Sequence, residues 1–378
     1  MKQFFTKNFH LINIPPLFYI TLSFVVGIIW HSAFILFLTL CLLLALYALR
    51  AYFRKTSIPQ HLLLCSLFAI YGAWLYEKEI IDYNNFYTCV ENKKCIVHGT
   101  IIDVYDVIVH YKKSTVIAIA VDTIATKDTI LQSNKTLLFY TKSNKNMSVG
   151  DTVTFFNVCC KKPSNQSFQH YQIKEQVIAT IFDDNPQFRI DTHPIWSLRA
   201  WIWQHKKRLL ESLEHKLSAQ GFRFFSSLFL GNRTCVKAEL EETNEQFKTW
   251  GISHFLARSG LHLALFIFIW QAILRFIPFP LLIKQFILTL LSCIYFILTW
   301  TSAPFTRSFM LFLLNKVCFF NKRSFHFLHY LTLVFFCFLL YCPLYLFFLD
   351  FQLSFALTFA LAWFGQLSAQ HEASSSKY

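Results

Sequence analysis

The sequence predicts an α-helical polytopic membrane protein with about eight transmembrane helices and a small β-barrel domain inserted between them. Of its 378 residues, 55% are hydrophobic, and the mean hydropathy is +0.41. The apolar residues occur in long runs, and a run of about 20 such residues crosses a bilayer as a helix because its backbone polar groups then bond within the segment. Between residues 78 and 195 these runs give way to short β-branched segments bounded by polar residues, which are typical of strands.

The N-terminal domain, residues 1–77, contains three predicted spans. No small-x-small cleavage site separates the first apolar run from the second, so we interpret that run as a span and not as a signal peptide. Basic residues mark the cytoplasmic side of membrane helices, which places the N-terminus in the cytoplasm and the segment after Tyr76 outside. The spans are residues 15–30, 33–49 and 61–76, and the flanking basic residues are Lys2, Lys7, Arg50, Arg54 and Lys55.

The second domain, residues 78–195, is predicted to hold five strands whose spacing is compatible with an OB-type barrel. It carries 13 Lys and Arg against 12 Asp and Glu, so it is nearly neutral. Its paired lysines fit either an ordinary solvated surface or a nucleic-acid-binding face. The predicted strands are residues 95–105, 114–124, 135–141, 151–160 and 175–182.

Four cysteines, Cys89, Cys95, Cys159 and Cys160, fall in this domain. If the domain faces an oxidising compartment, they allow one or two disulfides, and the sequence does not fix their connectivity. No CxxC pair or Cys/His spacing indicates a zinc site.

A connector, residues 196–248, begins with a predicted helix over 196–218. Trp196, Trp203, Leu210 and Leu217 recur every seven residues, with basic residues between them. This pattern fits an amphipathic helix that lies in the membrane interface, or an amphipathic helix that packs on the β domain.

The C-terminal domain, residues 249–378, contains five further predicted spans. Basic residues flank their cytoplasmic ends, whereas the outer loops near residues 302 and 343 carry none. The formal net charge of +14 therefore serves mainly to orient helices and does not by itself indicate a nucleic-acid-binding protein. The spans are residues 252–274, 282–301, 304–320, 327–341 and 346–367.

Three of these spans contain polar residues, which are costly in a membrane and are therefore functional candidates. All three spans run from outside to inside, so their polar residues are expected at a similar depth, as the mouth of a polar cavity or pore. An ion pair of Asp350 with Arg307 or Arg258 would reduce the desolvation cost of each charge. The alternative to a cavity is a buried network that only holds helices together. The candidates are His254, Arg258, Ser259, Gly260 and His262, then Arg307, and then Asp350, Gln352 and Ser354.

The same clusters give no assignment of catalysis. A triad requires a geometry that spacing alone does not supply. His254 and His262 are eight residues apart, unlike the four-residue spacing of a helix-borne zinc pair. We therefore predict no catalytic residue, no metal site and no cofactor.

Several motifs resemble the ComEC family of bacterial competence proteins. The stretch "GISHFLARSGLHLAL", with Gly251, His254, Ser259, Gly260 and His262, is similar to the most recognisable motif of that family. The segments "LFLGNRT", "APFTRSFM" and "FQLSF" resemble further family segments, and the β domain resembles the family's OB-like domain. The His-x-His-x-Asp-His motif of the metallo-β-lactamase-like domain that many relatives carry does not occur, so we expect a short form without nuclease activity.

The resemblance implies a component of an inner-membrane channel that imports single-stranded DNA during natural transformation. Its implied partners are single-stranded DNA, the bilayer, and further copies of the chain or other competence proteins. Tyr140, Phe155 and Tyr171 are candidates for stacking on bases. The competing hypotheses are a membrane-embedded enzyme that uses the His/Ser/Asp cluster on an envelope or lipid substrate, and a structural membrane assembly protein.

Overall fold

A computed structural model divides the chain into two compact units. Residues 1–79 and 303–378 form the helical unit, and residues 80–302 form the β unit. The structure describes residues 16–30, 58–91, 93–109, 112–127, 129–142, 147–193, 197–218, 221–222, 225–226, 249, 260–299 and 302–375.

The first two described helices are α1 (Pro16–Ile29) and α2 (Ile58–Val90). Their backbones approach so closely that neither Gly27 nor Gly72 has room for a side chain. A Cβ at Gly27 would overlap the carbonyl oxygen of Ala69, and a Cβ at Gly72 would overlap that of Phe24. Glycine on a membrane helix permits such close packing of backbones. The contact fixes α1 against the first half of α2 within the helical unit.

Helix α2 is much longer than the predicted span, which ended at residue 76. It continues to Val90, because residues 73–98 contain no glycine or proline and include several strong helix formers such as Glu77, Lys78 and Glu79. The polar half of α2 therefore leads without a break from the apolar N-terminal segment to the first strand of the β unit.

The C-terminal helices lie close to the predicted positions. Helix α8 covers the residues of its predicted span, and it ends before Pro343, which starts a short 3-10 helix over Pro343–Phe347. The α-helices are α5 (Gly260–Arg275), α6 (Leu281–Leu298), α7 (Ala303–Phe320), α8 (Phe327–Tyr341) and α9 (Leu349–Ser375).

Among the described residues, α6 is the one helix that is both long enough and apolar enough to cross a membrane. Three shorter helices are also apolar: most of α1, α5 and α8. The predicted span over residues 33–49 lies outside the described residues. The number of about eight membrane spans therefore stays a prediction.

The β unit is built on one mixed sheet with the strand order β6-β4-β2-β1-β5-β7, and β3 pairs with β2. All pairs are antiparallel except β4 with β6. The strands are β1 (Lys94–Val109), β2 (Lys112–Ala125), β3 (Ile130–Gln132), β4 (Thr136–Thr141), β5 (Thr152–Cys159), β6 (Val177–Phe182) and β7 (Gln187–Thr192).

All five predicted strands are present, and the sequence interpretation missed β3, β7 and a short helix, α3 (Gln166–Lys174). Strand β1 is long, and its pairing with β2 shifts register twice, next to His98 and next to Ile101, as at β-bulges. The closed OB-type arrangement of these strands stays a prediction.

The core of the β unit contains stacked aromatic rings. Phe139 on β4 and Phe155 on β5 lie 4.8 Å apart between ring centroids, and each is 1% exposed. The end of α2 is joined to this unit by Tyr83, whose hydroxyl donates to Gln172 on α3 at 2.6 Å. Phe155 is therefore a core residue, and the prediction that it stacks on bases was wrong.

Truncating Phe155 should test this packing. We expect Phe155→Ala to destabilise the protein by about 3–5 kcal/mol, because it removes a fully buried ring and leaves a cavity. Phe182→Ala, at a position that is 70% exposed, should cost less than about 1 kcal/mol. Thermal unfolding of the purified full chain measures both, and equal losses would contradict the assignment of Phe155 to the core.

Candidate functional site

Only some of the predicted site residues are described. Gly251, His254, Arg258 and Ser259 lie outside the described residues. Gly260 and His262 are in the first turn of α5 in the β unit, whereas Arg307, Asp350, Gln352 and Ser354 belong to α7 and α9 of the helical unit. The convergence of the three clusters therefore stays a prediction. The second and third clusters, on α7 and α9, lie within one unit.

Arg307 on α7 is held against the first turns of α9. Its Nη1 donates to the carbonyl oxygen of Ser354 and to Oγ1 of Thr358, and its guanidinium lies 5.6 Å from the ring centroid of Phe355. The Thr358 hydroxyl also donates to the Ser354 carbonyl, at 2.7 Å. A single turn of α9 thus supplies both hydrogen-bond acceptors and the aromatic face for this cation.

The guanidinium is nevertheless incompletely satisfied. Within the described part of the chain, Nε of Arg307 and Oγ of Ser354 are buried and have no hydrogen-bond partner. A buried polar group without a partner costs about 1–3 kcal/mol, so such groups are rare in folded proteins unless a ligand, ion or water completes them. Two such groups, Nε of Arg307 and Oγ of Ser354, occur together where Arg307 meets α9.

The predicted ion pair between Asp350 and Arg307 is absent. Asp350 lies in the first turn of α9 and is exposed, where a carboxylate interacts favourably with the N-terminal end of the helix dipole. Gln352 has a local role, because its Nε2 donates to the Leu346 carbonyl at 2.7 Å and joins the 3-10 helix to α9. The Arg307 charge therefore has no carboxylate partner among the described residues.

A second feature is a row of aromatic residues on the β unit. Tyr105 on β1 pairs in register with Val116 on β2, Val116 with Tyr140 on β4, and Tyr140 with Phe182 on β6. The rings of Tyr140 and Phe182 stack with their centroids 4.7 Å apart, and Phe182 is largely exposed. Register alone thus aligns three aromatic side chains across the sheet.

Helix α3 adds two more rings and a cation. Phe168 and Tyr171 stack at 6.2 Å and are both exposed, and Lys174 Nζ lies 5.6 Å from the Tyr171 ring. Burial raises the pKa of Tyr105, and the nearby Tyr140, Asp103 and Tyr171 raise it further, which places α3 beside the row. We call Tyr105, Tyr140, Phe168, Tyr171 and Phe182 the aromatic surface.

Helix α4 (Leu198–Lys216) contributes basic residues close to this surface. Burial raises the pKa of Asp103 on β1, and the raise is partly offset by Lys206, by a hydrogen bond from Trp203 and by Arg199. These three residues of α4 therefore lie near Asp103, but no residue of α4 is buried, so packing of this helix on the β domain also stays a prediction. Leu198 and Trp201 remain exposed, and a place for α4 in the membrane interface stays a prediction.

The four cysteines of the β unit are free thiols in the structure. Cys95 and Cys160 are fully buried, and burial raises the pKa of Cys160 to about 12. A disulfide among them stays a prediction. No group of three or more His, Cys, Asp or Glu side chains among the described residues is arranged to hold a metal ion.

Replacing Arg307 tests whether its charge serves function or the stability of the fold. We expect Arg307→Met to leave the unfolding temperature of the full chain unchanged or raised, because an apolar side chain of similar volume removes the cost of a buried and partly unsatisfied charge. Thr332→Val, which removes a buried hydroxyl bonded to the Leu328 carbonyl at 2.8 Å, serves as a control for small buried changes. A loss of several kcal/mol in Arg307→Met would instead identify Arg307 as a helix-holding residue.

Comparisons with known proteins complete the description. Residues 228–377 match the family model described as Competence protein. This region contains α5 to α9 and all the polar clusters singled out above. No curated protein and no solved structure matches the chain.

Proposed function

Because residues 228–377 match the family model described as Competence protein, we propose that the chain is a membrane component that admits single-stranded DNA during natural transformation. The match suggests a role in DNA uptake during competence and an association with the membrane. This match is the observation that carries the proposal. The channel role, the multi-pass topology and the outward orientation of the β unit are the finer parts of the proposal.

Arg307 is the described residue best suited to contact the DNA backbone. A guanidinium binds phosphate through several donors in one plane. Within the described part of the chain, Nε of Arg307 and Oγ of Ser354 are donors without a partner at one contact, and in this proposal a phosphate oxygen accepts from them. In this proposal His254, Arg258, Ser259 and His262 continue the polar path.

The aromatic surface is proposed as the place where the strand first binds. Single strands bind to exposed rings because every base offers a face for stacking, at about 1–3 kcal/mol per base. The β domain is nearly neutral, with 13 basic and 12 acidic residues between 78 and 195. Stacking, supplemented by the basic residues of α4, therefore supplies the affinity, and its dependence on salt should be shallow.

The enzyme alternative gains no support from the described residues. A nucleophilic serine needs a base within hydrogen-bond reach, whereas Oγ of Ser354 has no hydrogen-bond partner in the described part of the chain. The alternative of a structural assembly protein predicts that Arg307 is dispensable when the protein is present at its normal level.

Transformation assays test the channel role. In a strain that needs this chain for transformation, we expect Arg307→Met to reduce transformants by at least about 100-fold, because loss of a charged hydrogen-bond donor at several successive phosphates raises the barrier to transport by roughly 3 kcal/mol or more. Arg307→Lys should retain part of the activity, because the charge remains and the planar donors are lost.

The matched control is Lys316→Met on the same helix, where the ammonium group lies 5.1 Å from the Phe312 ring centroid. It should change transformation less than about threefold. Immunoblots of membranes establish equal protein levels. Normal transformation in Arg307→Met at an equal level would overturn the channel proposal.

Binding measurements test the aromatic surface. We expect the double variant Tyr171→Ala, Phe182→Ala to bind a labelled single-stranded oligonucleotide at least tenfold more weakly, because it loses about 1–3 kcal/mol for each stacked base. Ile130→Ala, at an exposed apolar position on β3, is the control and should bind normally. Fluorescence anisotropy with the purified full chain measures both, and equal affinities would exclude the aromatic surface as the binding face.

A further inference from the structure

The helical unit contains an apolar groove behind the Arg307 contact. It has a volume of about 320 Å³ and lies between α1, α8, the 3-10 helix and α9. Aromatic rings form most of its wall, from Phe18 on α1, Phe335 on α8, and Phe351, Phe355 and Phe359 on α9. Every described residue that lines it belongs to the helical unit.

The few polar groups in the wall already have hydrogen bonds. Thr21 donates to the Leu17 carbonyl at 2.7 Å, and Thr332 donates to the Leu328 carbonyl at 2.8 Å. Gln352 uses its Nε2 for the Leu346 carbonyl. Because a water molecule needs two to four polar partners, and apolar cavities stay dry or take up hydrocarbon, this wall is suited to a hydrocarbon occupant.

The groove opens where α9 presents Gln352 and Ala356, both exposed. The neighbouring surface of α9 is a ridge of exposed Leu353, Leu357 and Leu361. In a membrane such a ridge is suited to contact with lipid chains, which are as apolar as leucine side chains. The mouth of the groove is thus continuous with a lipid-facing surface.

We infer that this groove binds one acyl chain of a bilayer lipid. The inference rests on the membrane location in the proposed function. Phe355 is 2% exposed and connects the groove with the Arg307 contact. Its ring lines the groove, and the centroid of the same ring lies 5.6 Å from the Arg307 guanidinium. An acyl chain in the groove therefore restrains the aromatic ring on which Arg307 rests.

Photolabelling tests the site. The full chain is reconstituted in phosphatidylcholine vesicles that carry a diazirine along one acyl chain, irradiated, digested and analysed by mass spectrometry. We expect label on Phe335 and Phe355, which ordinary surface contact with lipid would not reach because Phe355 is buried. Ala356→Phe, which fills the groove, should reduce this label at least fivefold, and so should Val25→Phe from the opposite wall.

Leu361→Phe is the matched control, because it adds a ring to the same helix at the exposed ridge; it should leave the groove label unchanged. Label on the ridge but not on Phe335 or Phe355 would overturn the acyl-chain site and leave the membrane location intact. Crosslinked protein dimers through the groove would assign it to a second copy and also overturn it. Absence of label from all of α9 would contradict the membrane location itself.

Discussion

The contact between Arg307 and one turn of α9 is the interaction on which the account of this protein depends. It places a cation among apolar helices and supplies it with the Ser354 carbonyl, the Thr358 hydroxyl and the Phe355 ring. Among the residues that the structure describes, it leaves two buried polar atoms without a hydrogen-bond partner. A buried charge with good but incomplete hydrogen bonding is a poor source of stability. A ligand with an acceptor oxygen would complete these hydrogen bonds, and in the proposed function that ligand is a DNA phosphate.

In the proposed function, the two units contact DNA through different chemistry. The helical unit offers a fixed cation beside rings, whereas the β unit offers an aromatic surface in a domain of almost zero net charge. Weak stacking without strong phosphate binding suits a strand that must move on, because a strongly basic surface would hold the polymer in place. The overall charge of +14 is consistent with this division, since much of it flanks the predicted spans and orients them.

Much of this architecture was predictable, and the exceptions have physical causes. Arg307 stood out because a charged residue in an apolar run is costly, but its acceptors are a backbone carbonyl and a threonine on the next turn, which no charge pattern identifies. Phe155 was misassigned because strand composition does not reveal which face of β5 is buried. Strand β7 was missed although "QFRIDT" has the polar–apolar alternation of a half-exposed strand, and α2 was cut short because its polar end was assigned to the β domain.

The most direct test of the central claim is a crosslink between the Arg307 contact and DNA in transit. A photoreactive amino acid at residue 354 retains the backbone carbonyl that Arg307 uses, and the same amino acid at residue 361 lies on the exposed ridge of α9. Irradiation of competent cells during uptake of labelled DNA should crosslink DNA at residue 354 and not at residue 361. Continued uptake with no crosslink at residue 354, or with equal crosslinking at both positions, would contradict a DNA path past Arg307.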